Sequence, residues 1–293
     1  MSKNIQKLLR LVSGITFIII AIGSYVIVAQ TVTTGNWTAE YKAEKDGKIY
    51  LSFERRSEKG GKNQTSSHFL LSDLPGLTNA QLSASDTPVK FSLGREAGTI
   101  ECEGKFNNGK GAGTFRFTSN PQFVSAMQSR GFTFTDEKLF AAATLNLTIA
   151  FVDDLKSAGF DNLKTDDLFK AVIFKITPQF MREMASIGFP NLDMEDLVKA
   201  RIFKIDADYA RQVKEMGFGT QSLEDLVKLR IFKVTPEFIR EVQAEGLNNL
   251  TAEQVVKLRI FKIDGEFIRQ ARAENVPVNV EDLVKKRIGV WEK

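Results

Sequence analysis

Apolar and polar residues alternate along the chain between Trp37 and Thr118. This period of two predicts strands with one buried face, and it is clearest in the segments 49–53, 89–93, 99–103 and 114–117. Asn108-Gly109 supplies a turn that tolerates positive φ, and the polar, glycine-containing segment 57–67 predicts a loop. About six short strands in this span predict a small antiparallel β sandwich or barrel.

After residue 119 the pattern changes to a helical period of 3.6 and a longer period of 29 residues. Complete copies of the longer unit occupy 165–189, 194–218, 223–247 and 252–276. An eroded copy lies at 136–160, and half copies open and close the array at 120–132 and 280–290. Dense internal repeats of two short helices predict an α-solenoid, so the expected fold class is α+β.

Each unit carries start and stop signals for both helices. Asp193, Ser222 and Thr251 stand at N-cap positions of the first helix. The second helix is expected to begin at Thr148, Thr177, Asp206, Thr235 or Asp264 and to end at Gly159, Gly188, Gly217, Gly246 or Asn275. Helices of about ten residues are marginal alone, so each pair must bury its apolar side on its neighbours.

The amino terminus has the layout of a targeting segment. Residues 2–10 are polar and basic, and residues 11–29 contain no charged side chain. A cleaved signal sequence fits this layout, and so does an uncleaved anchor in the inner membrane through residues 11–29. In both cases the basic residues stay in the cytoplasm and the bulk of the chain is exported, periplasmic or membrane-anchored. The predicted organisation is a signal sequence or anchor at 1–29, a linker at 30–36, a β domain at 37–119 and the repeat array at 120–290.

The net charge and the counts of cysteine and histidine exclude several kinds of partner and site. The chain has 40 basic and 36 acidic residues, a formal charge of +4. Lys3, Lys7 and Arg10 are the charged residues of the first 29, and without them 37 basic residues face 36 acidic ones. A nearly neutral exported chain argues against a nucleic-acid partner. The single Cys102 excludes an intramolecular disulfide, and the single His68 excludes a His-rich metal site.

Charged residues recur in register along the array. An acid precedes a lysine by four residues in five units, the favoured spacing for ion pairs within a helix: Asp166/Lys170, Glu195/Lys199, Glu224/Lys228, Glu253/Lys257 and Glu281/Lys285. Because stacked units place equivalent residues side by side, two further rows are candidate partner-binding residues: Lys175, Lys204, Lys233 and Lys262, and Arg182, Arg211, Arg240 and Arg269.

These rows have a structural interpretation as well. The lysines follow helix ends, where a cation complements the helix dipole. A third row, Arg201, Arg230 and Arg259, is open to the same two interpretations. The near-neutral charge of the exported chain favours pairing with acids such as Asp196, Asp225 and Glu241 on adjacent units.

Motifs for catalysis and cofactors are absent from the sequence. HExxH, GxSxG, CxxC and the Walker A pattern do not occur, so no catalytic residue, metal or cofactor is expected. Gly109–Gly113 leads into a strand and is interpreted as a tight turn. The paired acids at 153–154 and 166–167, and His68 beside Ser67, are interpreted as structural residues.

The unit LVKLRIFKVTPEFIRE at 226–241 resembles helical-hairpin repeats of bacterial cell-envelope proteins. They include repeats that trail membrane metallopeptidase regulators related to penicillin-sensing receptors. The resemblance covers roughly residues 120–290 and implies a setting in the cell envelope. Because the zinc motif and the multi-span membrane region of those regulators are absent from this sequence, their catalysis is not implied.

The expected function is that of a non-enzymatic scaffold or sensor accessory that binds a protein or peptide partner in the envelope. The first alternative is a hydrolase of envelope polymer that uses the β-domain carboxylates Glu96, Glu101 or Glu103. The second alternative is a nucleic-acid-binding repeat protein.

Overall fold

The computed structural model describes residues 32–41, 47–56, 60–160, 162–219 and 221–291. It confirms the α+β class, with a six-stranded antiparallel sheet at 32–119 and helices from Pro121 onward. The candidate targeting segment 11–29 lies outside the described residues. Within those ranges, no helix combines the length and the apolar character that crossing a bilayer requires.

The strands form one open sheet. Their spatial order is β3-β2-β1-β6-β5-β4, and each neighbouring pair is antiparallel. Their bounds are β1 Val32–Tyr41, β2 Lys48–Arg56, β3 Lys62–Leu70, β4 Thr87–Arg95, β5 Gly98–Asn107 and β6 Lys110–Ser119. Edge strands β3 and β4 do not pair with each other, and the described strands do not divide into two sheets. The described strands therefore form a single sheet, and the predicted sandwich or barrel is not confirmed.

Two boundaries differ from the sequence-based expectation. β1 begins at Val32, inside the expected linker 30–36, and β3 runs through much of the expected loop 57–67. Strand β3 does not show the alternating pattern because it lies at the sheet edge. Only Phe69 of its nine residues is buried. The turn at Asn108-Gly109 is confirmed, with φ of 50° and 83°.

One face of the sheet is buried and the other is polar. The buried face includes Trp37, Phe53, Phe91 and Phe117. Trp37 packs close to a strand glycine, since a Cβ added to Gly104 would approach its ring to 2.7 Å. This face is covered by the segment between β3 and β4, with its short helix α1 (Asn79–Ser83), and by the first helix of the eroded repeat.

Helices α2 to α13 lie in two rows along the array. The odd row consists of α3 (Asp136–Leu145), α5 (Thr165–Ile173), α7 (Met194–Ile202), α9 (Leu223–Ile231), α11 (Ala252–Ile260) and α13 (Val280–Arg287), each packed on the next. The even row consists of α2 (Pro121–Ser129), α4 (Ile149–Ser157), α6 (Pro178–Ser186), α8 (Ala207–Val213), α10 (Pro236–Ala244) and α12 (Gly265–Ala273).

The predicted helix caps are confirmed. The side chains of Asp193, Ser222 and Thr251 accept from the backbone N–H three residues on, as do those at the start of the second helix in each unit. The predicted terminal glycines and Asn275 all have positive φ, between 65° and 104°. The N-cap residues and the residues with positive φ therefore mark where the helices of this array begin and end.

The array and the sheet share one core. Phe140 of α3 stacks on Phe115 of β6 at 5.2 Å between ring centroids and meets the edges of Phe53 and Phe117. A polar link lies beside it, where Glu137 accepts from Arg55 and from Asn63, both at 3.0 Å. The first odd-row helix is therefore part of the sheet core, and the later units extend away from it.

Cys102 belongs to this core. It is buried on β5, and desolvation raises its pKa to about 12. Because only the thiolate reacts with iodoacetamide, we expect no measurable alkylation of the native protein at pH 8 and full alkylation in 6 M guanidinium chloride. Mass spectrometry checks this, and rapid modification of the native chain would show that the strand opens.

Candidate functional site

The candidate lysines occupy an unusual backbone conformation. Lys175, Lys204, Lys233 and Lys262 each follow the end of an odd-row helix with φ between 51° and 54°. This left-handed region disfavours residues with a Cβ by roughly 1–2 kcal/mol. Elsewhere the array fills such positions with Gly or Asn. The eroded copy has Asn146 at the equivalent position, and the last odd-row helix ends at Gly289. The four central units therefore keep a lysine where the backbone favours glycine.

Two positions before each lysine stands an exposed isoleucine. The side chains of Ile173, Ile202, Ile231, Ile260 and Ile288 are 49–55% exposed, and each lies at the end of an odd-row helix. In the eroded copy the equivalent residue is Thr144, which is buried. We call these five isoleucines, with the four lysines, the Ile–Lys stripe. It follows the odd row because those helices are neighbours in order.

The side chains of the stripe lysines have no charged or hydrogen-bonding partner among the described residues. Among the described residues, Lys175, Lys204, Lys233 and Lys262 form no ion pair and donate no side-chain hydrogen bond. Their backbone carbonyls, in contrast, are used. Those of Lys175 and Lys204 accept from Arg201 and Arg230 at 2.9 and 2.8 Å. The turn is thus held by the next unit while the ammonium group remains open to solvent.

The second candidate row lies on the other row of helices. Arg182, Arg211, Arg240 and Arg269 are exposed on α6, α8, α10 and α12. Three of them have acidic partners: Arg211 with Asp208, Arg240 with Glu237 and Arg269 with Glu245. Arg269 and Arg272 together hold the pKa of Glu245 below its usual range. The two candidate rows are therefore not equivalent: within the described residues all four lysines lack an acidic partner, whereas of the arginines only Arg182 does.

The third row is structural, but its partners are not the expected acids. Arg201, Arg230, Arg259 and Arg287 stack on an aromatic ring of the preceding unit, at 3.6, 3.6, 4.7 and 3.8 Å from the ring centroid. Each also donates to a backbone carbonyl of the preceding odd-row turn. The planar guanidinium group suits both contacts at once. We call these four residues the arginine clamps.

The charges spaced by four residues also pair differently from the expectation. Lys170 and Lys199 contact the acid three residues earlier, and they reach Glu195 and Glu224 of the next unit. Lys257 likewise contacts Glu281 at 2.7 Å. The five lysines therefore pair with the acid three residues earlier, with an acid of the next unit, or with both, and the predicted pairs four residues apart do not form in the described part of the array. Because solvent screens exposed pairs of this kind, they contribute little to stability.

A second candidate region is the polar face of the sheet. A shallow groove of about 830 Å³ is lined by Thr34, Asn36, Lys90, Glu101, Glu103 and Arg116, among others. Glu103 pairs with Lys90 at 2.7 Å, which raises the pKa of Lys90. Glu96 lies apart, because its side chain accepts from the backbone N–H of Ile149 at the start of α4. The three carboxylates considered for hydrolysis thus do not form one cluster.

The remaining sequence candidates occupy structural positions. Asp153 accepts from Arg130 at 2.6 and 2.7 Å, which lowers the pKa of Asp153. Asp167 accepts from the backbone N–H of Lys164 at the start of α5. His68 is exposed on the edge strand beside Tyr50. In the part of the chain that the structure describes, no group of three or more metal-binding side chains occurs.

The isoleucine row was not identified from the sequence, although a signal for it exists. Ile and Lys recur together in every central unit, and both are replaced in the eroded copy that packs on the sheet. Residues that change together where a surface becomes buried are candidates for an exposed function. The contrast between copies therefore identifies the stripe better than the composition of any one copy.

Replacing Lys233 with glycine tests whether the lysines serve stability. We expect Lys233→Gly to raise the free energy of unfolding by about 0.5 kcal/mol, since relief of the left-handed backbone exceeds the entropy lost on folding glycine. The helix-dipole interpretation predicts a loss instead. Lys228→Gly inside α9 is the matched control and should lower stability by about 1 kcal/mol. Urea titration measures both changes.

Comparison with protein-family models and with curated proteins found no match to this chain. The functional argument therefore rests on the Ile–Lys stripe, the arginine clamps and the groove of the sheet.

Proposed function

We propose that this protein is a binding scaffold whose helical array forms an α-solenoid and presents the Ile–Lys stripe to a protein or peptide partner. One observation carries the proposal. Four successive units repeat a half-exposed isoleucine, which makes an apolar row of the kind that marks interaction sites, and a lysine in the left-handed region, which opposes folding stability. Such features persist when an exposed surface has a use other than stability.

The clamps support the same function. The arginine clamps fix each unit on the preceding one through an aromatic ring and a carbonyl of the preceding odd-row turn. Stacked helical repeats commonly use such extended rigid surfaces for binding partners. A preordered surface also loses little conformational entropy on association.

Site-specific photo-crosslinking in the native cell tests this function. A photoreactive amino acid at Ile202 or Ile231 should give a discrete crosslinked product, and the same amino acid at exposed Gln243 on the even row should not. Mass spectrometry identifies the partner, and binding of the purified partner to the purified protein follows. Absence of a discrete product at both stripe positions, or equal products at Gln243, would contradict the proposal.

We place this scaffold in the bacterial cell envelope, with the sheet and the array outside the cytoplasm. Support comes from the sequence of residues 1–29 and from the resemblance of the repeats to envelope proteins. Protease added to spheroplasts should digest the protein while a cytoplasmic marker survives. Protection until the cells are lysed would contradict the proposed location.

Hydrolysis of an envelope polymer remains the second candidate, because Glu101 and Glu103 both line the sheet groove. Residues two apart on a strand project from the same face about 6.8 Å apart, within the range of carboxylate pairs in inverting glycosidases. Glu103 is exposed and already paired with Lys90, which favours a role in binding. Release of soluble sugars from purified cell wall, abolished in Glu101→Gln, would support hydrolysis.

A further inference from the structure

We propose that the partner of the Ile–Lys stripe is an acidic amphipathic α-helix whose apolar residues recur every seven positions. This inference rests on the proposed scaffold function and names the chemistry of the partner. Three features of the stripe carry it: its free positive charge, its apolar row and the spacing of both.

Charge comes first. The four stripe lysines have no acidic partner among the described residues, whereas Lys170, Lys199 and Lys257 on the same helices are paired. The even-row arginines are mostly paired as well. A row of uncompensated ammonium groups is complementary to a row of carboxylates, and it disfavours basic partners.

The row of exposed isoleucines argues against a partner that carries acidic residues but no apolar ones. Each lysine is separated by one residue from a half-exposed isoleucine, and the intervening Phe174, Phe203, Phe232 and Phe261 are half-buried. A polyanion would leave this apolar surface in contact with water. The stripe therefore favours a ligand with an apolar residue beside each acidic one.

Spacing selects the conformation of the ligand. Packed helices lie about 8–10 Å apart, so the isoleucines of successive units repeat at about that interval. A helix laid along the odd row returns to the same face every seven residues, about 10.5 Å. In a strand, three residues span about 10 Å, but residues three apart point to opposite faces. A helix can therefore place one apolar residue on each isoleucine, whereas a strand cannot.

The regular stripe is confined to the units away from the sheet. In the eroded copy Thr144 is buried and Asn146 replaces lysine, and this copy packs on the sheet through Phe140. From Ile173 to Ile288 the row passes five helix ends. A matching ligand therefore spans about five heptads, roughly 35 residues.

The test uses the full-length protein and a synthetic peptide of five heptads, with Leu once per heptad, Glu at the flanking positions, and Ala and Gln elsewhere. We expect saturable binding by fluorescence anisotropy that weakens as salt rises. The variant K175G/K204G/K233G/K262G should raise the dissociation constant at least twentyfold, because it removes the charge at positions where glycine suits the backbone. The matched variant R182Q/R211Q/R240Q/R269Q removes equal charge from the even row and should change it less than threefold.

Peptide controls define what would overturn the inference. Equal affinity for a scrambled peptide of the same composition, or for one interrupted by proline in each heptad, would contradict the heptad helix. Equal losses in the two variants would contradict the stripe as the site. Binding only to vesicles of phosphatidylglycerol and phosphatidylcholine would identify a membrane surface instead. If photo-crosslinking yields a partner at Ile231 but the heptad peptide does not bind, this inference fails and the scaffold function stands. If both experiments fail, neither stands.

Discussion

Replacing Phe140 with alanine should lower the free energy of unfolding by about 3–5 kcal/mol. The ring is 1% exposed and lies where α3 meets the sheet, stacked on Phe115 and in edge contact with Phe53 and Phe117. Truncation would leave a cavity lined by other rings, which cannot collapse without moving the strands. The guanidinium group of Arg55, 5.5 Å from the ring centroid, would also lose that contact.

Two observables make this prediction specific. Trp37 lies in the sheet core, so its fluorescence in a Trp291→Phe background reports on the sheet, while circular dichroism at 222 nm reports mainly on the array. We expect Phe140→Ala to move the Trp37 transition to lower urea and to leave part of the helical signal at higher urea. Phe140→Leu is the control and should lose less than about 1.5 kcal/mol. An unchanged Trp37 midpoint in Phe140→Ala would show that the sheet is stable without α3.

Features set by neighbouring residues were predictable from the sequence. The N-caps at Thr177, Thr235 and Asp264 depend on a hydrogen bond three residues along the chain, so one unit is enough to identify them. The glycines that end even-row helices follow from backbone conformation alone. Five related units repeat the same signals, which is why the helix ends agree so closely with the structure.

Features set by long-range packing were not predictable in the same way. Apolar and polar residues alternate only in a strand that buries one face. Strand β3 buries one residue of nine, so its sequence resembles that of a loop. The count of strands was correct, but the choice between one sheet and two depends on what covers the apolar face. Here α3 and the segment between β3 and β4 cover it. A sequence pattern states that a face is buried without stating against which element.

In the candidate site, too, features set by neighbouring residues were predictable and features set by packing between units were not. The lysine row was visible as a repeated residue, and its exposure follows from its place after a helix. Its left-handed backbone was not visible, because glycine and asparagine are the usual signals for that conformation. The clamps were visible only as basic residues. The local sequence of an arginine is the same whether it stacks on a ring and donates to a carbonyl of the preceding unit or pairs with an acid. The sequence alone therefore does not distinguish the two.

Replacing Arg230 with alanine should lower the free energy of unfolding by about 2–3 kcal/mol and make the end of the array unfold first. The guanidinium group lies 3.6 Å from the centroid of the Tyr209 ring and donates to the carbonyl of Lys204 at 2.8 Å. A partly desolvated cation–π contact contributes about 1–2 kcal/mol, and a hydrogen bond from a charged donor contributes about 1.5 kcal/mol or more. Because each unit contacts only its neighbours, weakening one interface should separate the units beyond it from the rest.

Two further variants separate geometry from charge. Arg230→Lys keeps the charge but lacks the planar fork that stacks and donates together, so it should lose nearly as much stability as Arg230→Ala. Arg240→Ala removes an arginine that is 68% exposed and paired with Glu237 on its own helix, and it should lose less than about 0.5 kcal/mol. Hydrogen exchange should show faster opening of α9 to α13 in Arg230→Ala, with protection of the sheet unchanged. If Arg230→Ala and Arg240→Ala lose the same small amount, the clamps are surface contacts and the rigidity of the stripe has another source.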